Sequence, residues 1–176
     1  MFHVSFYVII LGIDPGETLI GYCVLEKSRH NLNLIDCGCI NISSLAGKIK
    51  KNAGQKLAEL ENQITGLINK HRHELAGVEE IFFFKNLKTA VGVAQARGVI
   101  LAACHKNNLE ILEFTPLQVK QSVTGYGRAD KKQVQKMVGM ILKLNQPLTQ
   151  DDAADAVAIA ICAAESSKLL SLTKQR

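Results

Sequence analysis

The sequence predicts an α/β fold in which a mixed β-sheet, with its first three strands antiparallel, is flanked by α-helices. Three observations support this prediction. The chain opens with three strand-like apolar stretches separated by short turns. Strand and helix patterns then alternate along the remaining sequence. The first apolar stretch shows no polar alternation, which is typical of a central strand covered on both faces.

Length and composition predict one domain over residues 1–176, with 1–7 as an N-terminal extension and about 165–176 as a C-terminal tail. The chain has 176 residues, of which 47% are hydrophobic and 21% charged, as in globular proteins. Its apolar opening is too short to span a membrane and lacks a basic leader, so no membrane association is predicted. The five cysteines are odd in number and form no CxxC pair, which favours the reducing cytoplasm.

The first two strands lie within residues 8–26 and are joined by the turn Asp14-Pro15-Gly16. The third strand is predicted over residues 33–42. Asp14 lies at the end of a buried strand, where an unpaired carboxylate is costly. It could simply cap nearby amides, and a DPG motif alone would favour that interpretation.

A long helix follows, with Ser43 and Ser44 as candidate N-caps and an apolar stripe that continues to Ile68. Residues 77–84, GVEEIFFF, are predicted as the fourth strand. Because side chains alternate across a strand, Glu79 and Glu80 would point to opposite faces, so only one of them can join Asp14.

The second half alternates helices with one short strand. Asn86 would cap a helix to about residue 106, a strand follows over 110–114, and Thr115-Pro116 would start another helix. Residues 125–128, GYGR, are predicted as a mobile loop. Asp130 would cap a helix reaching Leu144, and the last helix would begin in the DDAADA segment from residue 151.

Asp152 and Asp155 are three residues apart, so they share one face of the last helix. Acids in a first turn are also favoured by the helix dipole, which would explain them without a function. The face they share is rich in alanine and turned inward, where two carboxylates repel each other unless a cation lies between them. Small alanines would let this helix approach the sheet closely and bring the pair near Asp14.

Ligands that are all oxygen atoms favour Mg²⁺, with Mn²⁺ as a substitute, over zinc. Two such ions per site can activate water and stabilise the leaving oxygen in phosphodiester cleavage. Between residues 115 and 145, six cations face one acid, a local net charge of +5 that equals the net charge of the whole chain: Lys120, Arg128, Lys131, Lys132, Lys136 and Lys143 against Asp130. A polyanionic partner is implied, although a solvated helix face would explain some of these lysines.

Six motifs in order resemble the RuvC family of bacterial Holliday junction resolvases: GIDPG at 12–16, GY at 21–22, VEEIFF at 78–83, QARGV at 95–99, QVKQSVTGYGRADKKQV at 118–134 and DDAADAVAIAI at 151–161. The resemblance implies an RNase H-like fold and a metal-binding catalytic set of Asp14, Glu79, Asp152 and Asp155. Ile20 and Cys23 depart from residues common in the family.

The resemblance also implies the partners of the site. Lys120 and Lys131 match lysines placed against the cut strand, and Phe82 matches an aromatic residue that stacks on an unpaired base. Arg128 and Lys132 are further candidates for DNA contact. A family member of this kind acts as a homodimer on four-way junction DNA, leaves 5′-phosphate and 3′-hydroxyl ends, and works with the RuvA and RuvB branch-migration proteins.

Three alternatives remain at this stage. A related RNase H-like nuclease that trims ribosomal RNA precursors would share the acids. A nucleotide-dependent switch of the actin and sugar-kinase kind also opens with an aspartate-glycine strand turn, but the chain has no room for its second lobe. A junction-binding scaffold without catalysis is disfavoured by the four acids.

Overall fold

The structure is a computed structural model that describes residues 7–29, 31–42, 51–81, 87–148 and 150–173. The strands are β1 Val8–Asp14, β2 Leu19–Lys27, β3 Leu32–Asn41, β4 Leu75–Glu79 and β5 Glu110–Phe114. The helices are α1 Ala53–His71, α2 Leu87–Lys106, α3 Pro116–Thr124, α4 Lys131–Ile141 and α5 Asp151–Thr173.

All five strands form one mixed sheet in the order β3-β2-β1-β4-β5. The first three strands are antiparallel, as predicted, while β4 pairs in parallel with both β1 and β5. Strand β1 is therefore central, which explains why its sequence is apolar on both faces. The predicted α/β fold is confirmed.

The helices cover the two faces of the sheet as separate layers. On one face, α1 and α2 pack over a buried cluster that includes Leu11 and Ile13 of β1. On the other face, α3, α4 and α5 enclose a second cluster that includes Ile10 of the same strand. Because side chains alternate along β1, this strand contributes residues to both halves of the core.

Helix α5 lies unusually close to the sheet because glycines on three strands face its alanines. A Cβ atom placed on Gly12 would lie 2.3 Å from the carbonyl oxygen of Ala156, and one on Gly77 would lie 2.9 Å from the Cβ of Ala163. No other residue type fits at Gly12 without moving backbone. The prediction that alanines allow close approach is confirmed, and the glycines opposite them complete the contact.

Two predicted element boundaries are wrong in the first half. Helix α1 begins at Ala53, where Asn52 and Gln55 form a capping box, so residues 51 and 52 are not helical. Strand β4 spans residues 75–79 instead of 77–84. It ends where its neighbours end, since β1 stops at Asp14 and β5 stops at Phe114. Glu80 therefore follows the strand, and its amide donates to the carbonyl of Phe114 at 2.8 Å.

Two boundaries in the second half also differ. Helix α4 ends at Ile141 instead of Leu144, because Leu142 is its C-cap and the Leu144 amide turns back to the Gly139 carbonyl. Helix α5 continues to Thr173, so the tail predicted from about residue 165 is largely helical. That segment contains neither glycine nor proline, which allows the helix to continue. The predicted caps Ser43, Ser44 and Asn86 and the aromatic Phe82 lie outside the described residues.

Two further observations bear on the environment of the protein. Within the described ranges, every helix is too short or too polar to cross a lipid bilayer. All five cysteines are free. A cytoplasmic location and a single domain over the whole chain stay predictions.

Replacing Gly12 with alanine tests the seating of α5. The added methyl group would clash with backbone of α5, so we expect the free energy of unfolding to fall by about 1–3 kcal/mol. Gly66→Ala in α1 is the matched control, because open space surrounds that position and alanine favours helix there. Urea denaturation measures both. Equal midpoints for Gly12→Ala and the parent protein would show that α5 is not held as described.

Candidate active site

Two of the predicted acids stand at the ends of neighbouring parallel strands. Asp14 is the last residue of β1 and Glu79 the last of β4, and the register pairs Ile13 with Val78 one position earlier. Because the carboxyl ends of parallel strands meet at one edge of a sheet, both acids lie at the same edge. Both side chains are half-buried.

The other two acids reach this edge from the start of α5. Asp152 and Asp155 are half-buried, whereas Asp151 is exposed. The close packing positions them: Gly21, which pairs with Asp14 across the sheet, faces the Asp152 carbonyl, and a Cβ there would lie 2.0 Å from it. The N-terminal turn of α5 therefore rests directly beside the end of β1.

The pKa shifts show that the acids influence one another. Burial raises the pKa of Asp14 to about 8, assisted by the negative charges of Glu79, Asp155 and Asp152. Burial also raises the pKa of Glu79 to about 7, and the charge of Asp155 adds to this rise. Asp14 thus feels all three other predicted acids. The four carboxylates therefore form one cluster of interacting negative charges.

Lys131 supplies part of that charge. Its ammonium group donates to Asp155 at 3.1 Å and lies 3.5 Å from Asp151. Partial burial alone would lower the pKa of Lys131, but the hydrogen bond and charge of Asp155, with those of Asp151, outweigh it and raise the pKa. Lys131 also lowers the pKa of Asp14. This lysine lies beside the acids, as its predicted role requires.

A pocket of about 240 Å³ opens between α3, α4 and α5 beside these groups. Glu79, Asp155, Lys120 and Lys131 all line it, so acids and cations share one concave surface. The positive charge of Lys120 lowers the pKa of Glu79. A phosphate group could therefore bind between Lys120 and Lys131, with Glu79 and Asp155 on the same concave surface.

The donor set fits a divalent metal ion. Burial and neighbouring negative charge raise the pKa values of Asp14 and Glu79, so a cation that enters among the four half-buried carboxylates is favoured, and oxygen ligands favour a hard ion. Among the described residues, no three Asp, Glu, His or Cys side chains are already arranged around a single point. Lys131 holds Asp155 instead.

Arg97 is a residue whose role the sequence did not reveal. Its Nε donates to the backbone carbonyl of Glu79 at 3.0 Å, and its guanidinium group binds the Glu113 carboxylate. Arg97 therefore ties α2 to the ends of β4 and β5 and fixes the backbone that carries Glu79. It lies within the QARGV motif, but its partners are 16 and 18 residues away and cannot be read from spacing.

The other described residues that are predicted to contact DNA do not line the pocket beside the acids. Arg128 and Lys132 are exposed, and Lys132 follows Lys131 directly on α4. The GYGR segment is held at its start, since Gly125 caps α3 in the left-handed region and the Tyr126 amide donates to Thr124 Oγ1. The mobility predicted for it stays untested, and the stacking role of Phe82 falls outside the described residues.

Comparison with known proteins places this geometry in context. The family model for "Crossover junction endodeoxyribonuclease RuvC" matches residues 10–163. Relatives of that name from Halothermothrix orenii and Caldicellulosiruptor saccharolyticus are 46% and 47% identical over 162 and 154 residues. These alignments cover 92% and 87% of this chain and 95% and 90% of the relatives.

A solved structure extends the similarity to the fold. The Thermus thermophilus RuvC structure in complex with a Holliday junction substrate superposes with a TM-score of 0.82 at 28% identity. The match covers 93% of this chain and 97% of that chain. The sheet and its flanking helices therefore have the RNase H-like arrangement that the sequence motifs implied.

Neutralising Asp14 should stabilise the protein in the absence of metal ions. The carboxylate is uncharged in the fold below its raised pKa of about 8 but ionises near 3.8 when unfolded, so it destabilises the fold increasingly as pH rises between these values. Asp14→Asn should therefore add several kcal/mol of stability above pH 8 and little near pH 4, because each unit of pKa difference corresponds to about 1.4 kcal/mol. Urea denaturation in EDTA at both pH values measures this.

The control is Asp151→Asn, which changes an exposed acid in the first turn of α5 that already pairs with Lys131. It should give no such gain. A pH-independent difference between Asp14→Asn and the parent protein would contradict the electrostatic coupling.

Proposed function

The chain belongs to the RuvC family of crossover junction endodeoxyribonucleases, and we propose that it cuts Holliday junctions at the pocket beside Asp14, Glu79, Asp152 and Asp155. The reaction is metal-dependent hydrolysis of a DNA phosphodiester bond. One observation carries the assignment of the site: acids from β1, β4 and α5 interact electrostatically next to a pocket that Lys120 and Lys131 also line. Carboxylates alone would repel DNA, and lysines alone would only bind it.

Each group has a role that follows from its charge and position. The four carboxylates would hold Mg²⁺, with Mn²⁺ as a substitute, and two such ions would supply activation of water and stabilisation of the leaving oxygen. Lys120 and Lys131 lie on α3 and α4, on either side of the pocket, where they orient the non-bridging oxygens of the phosphate. Arg97 acts through Glu79 by holding its backbone. The products carry 5′-phosphate and 3′-hydroxyl ends.

The same family assignment favours junction DNA over precursor ribosomal RNA as the substrate. It also separates the chain from the nucleotide-dependent switches considered above. Four DNA strands meet at the crossover of the substrate. Two of them are cut symmetrically, so two equivalent active sites are needed.

A homodimer would supply those two sites. Helix α2 offers a candidate surface, because Val91 is 63% exposed and small residues follow it along the helix on the same exposed side: Ala94, Gly98 and Ala102. Small residues allow two helices to approach closely. We propose that a second copy of this chain covers this face and that the RuvA and RuvB branch-migration proteins act with the dimer.

A junction-cleavage assay tests the function. With Mg²⁺ and a synthetic four-way junction, the parent protein should make paired symmetric nicks, and Asp14→Asn or Glu79→Gln should lower the rate by roughly 100-fold or more, the scale of losing a group that stabilises transition-state charge. Glu61→Gln is the control and should cut normally, because this half-buried acid lies on α1 and pairs with Lys106. Parental rates for Asp14→Asn would refute the mechanism. Faster cleavage of precursor ribosomal RNA than of junctions would favour the alternative substrate.

Gly98 provides a test of the dimer face. Space around it is open within one chain, so Gly98→Ala should be tolerated and should favour helix, whereas Gly98→Glu would place charge in the α2 contact. Sedimentation velocity should show a dimer for the parent protein and at least a tenfold weaker one for Gly98→Glu, by analogy with the cost of one buried unpaired charge. An unchanged dimer would place the interface elsewhere.

A further inference from the structure

We infer that the outer face of α4 is a track for the phosphate backbone of a duplex arm, extending the DNA-binding surface away from the cutting site. The cations that form it are called the basic strip: Lys132 and Lys136 on the helix, Lys143 just after its end, and Arg29 in the turn between β2 and β3. This inference rests on the proposed function, because it names how the rest of the same substrate is held.

The lysines of the basic strip lie on α4 and just beyond its end. Lys132 and Lys136 are four residues apart, so they lie on one side of α4, and Lys143 follows two residues after the helix ends. All three line the same groove. All three are exposed. At a rise of 1.5 Å per residue, α4 covers about 13 Å from Lys132 to its end at Ile141, the length of roughly four base pairs of duplex, and Lys143 lies just beyond.

The strip begins at the candidate active site. Lys131, which binds Asp155, is the first residue of α4, and Lys132 is next to it. The two lysines point in different directions, since Lys131 lines the pocket beside the acids while Lys132 lines a groove on the outer face. A strand leaving the pocket would therefore meet the strip without a gap.

Two concave surfaces connect the members of the strip. A groove of about 640 Å³ contains Lys132, Lys136 and Lys143, and a second pocket of about 390 Å³ contains Lys143 and Arg29. Lys143 lies in both, so the positive surface continues from α4 to the β2–β3 turn. The acid that faces it is Glu165, at the edge of the second pocket.

The charges of the strip are not used inside the protein. In the part of the chain that the structure describes, none of the four cations takes part in an ion pair, whereas Lys51, Lys106 and Lys131 each bind a carboxylate. A row of free cations with no facing row of acids is typical of a surface that binds a polyanion. Duplex DNA supplies one negative charge per about 1.7 Å of its axis and matches such a row.

Lys143 is held in a conformation that a lysine rarely adopts. Its φ of 52° lies in the left-handed region, at the end of α4 where glycine is the usual residue. A side chain other than that of glycine or asparagine is disfavoured there. Folding and binding can therefore be tested separately at this position, because glycine would relieve the backbone while removing the charge.

Binding measurements in EDTA, where no cleavage occurs, test the basic strip. Lys136→Ala combined with Lys143→Ala should weaken binding of a four-way junction roughly tenfold at moderate salt and lower the slope of log K against log salt by about 2, the value for two lost phosphate contacts. A linear duplex should show the same loss of slope, because the strip contacts arms and not the crossover. Lys56→Ala with Lys70→Ala, both on α1 in the opposite layer, is the control and should leave the slope unchanged.

Lys143→Gly separates binding from folding. Glycine relieves the left-handed backbone, so the melting temperature should rise by about 2–4 °C while junction affinity falls. Unchanged affinity with a raised melting temperature would overturn the role of Lys143, and unchanged slopes for the double variant would overturn the strip.

Cleavage distinguishes this inference from the proposed function. With Mg²⁺ and protein below saturation, the double variant should cut the junction roughly tenfold more slowly than the parent protein, in step with its weaker binding. A parent protein that cuts junctions while the double variant binds them with full affinity refutes the strip alone. A parent protein that does not cut junctions refutes the proposed function, whatever the salt slopes are.

Discussion

Helix α5 lies against the sheet at backbone distance, and the candidate active site depends on that contact. Gly12, Gly21 and Gly77 present no side chain where the helix passes, and the alanines of α5 fill the space that remains. Larger residues on either side would lift the helix and carry Asp152 and Asp155 away from Asp14. The same contact that buries much of the core therefore sets the geometry of the acids.

The acids themselves work against the fold that gathers them. Burial and repulsion by neighbouring acids raise the pKa values of Asp14 and Glu79, which means that ionising these two groups destabilises the folded protein. Lys131 offsets some of this by binding Asp155, and Arg97 fixes the backbone of Glu79 from outside. A bound cation would relieve this repulsion, and acids with perturbed pKa values are typical of the active site of a metal-dependent nuclease.

The two helix layers divide the work of the molecule. Helices α3, α4 and α5 enclose the pocket and carry the cations beside it, so the proposed cutting site and DNA-binding surface lie on one side of the sheet. Helices α1 and α2 cover the other side, where α2 exposes a face of small residues. Arg97 links the layers, because it stands on α2 and holds the end of β4.

The sequence by itself determined the order and type of the elements and the antiparallel opening of the sheet, and the family resemblance of its motifs supplied the prediction of the four acids. Local rules were enough, since a strand turn, a capping residue and an acidic pair three apart depend on neighbours along the chain. Periodicity misplaced the start of α1, because the Asn52 capping box decides where that helix begins. The length of β4 was also missed, because it depends on where β1 and β5 stop. Only the tertiary structure decided that Lys131 binds Asp155, that Arg97 holds Glu79 and that the lysines of α4 divide between the pocket and the outer groove. These are contacts between distant segments, and their distances are set by how closely α5 can approach the sheet.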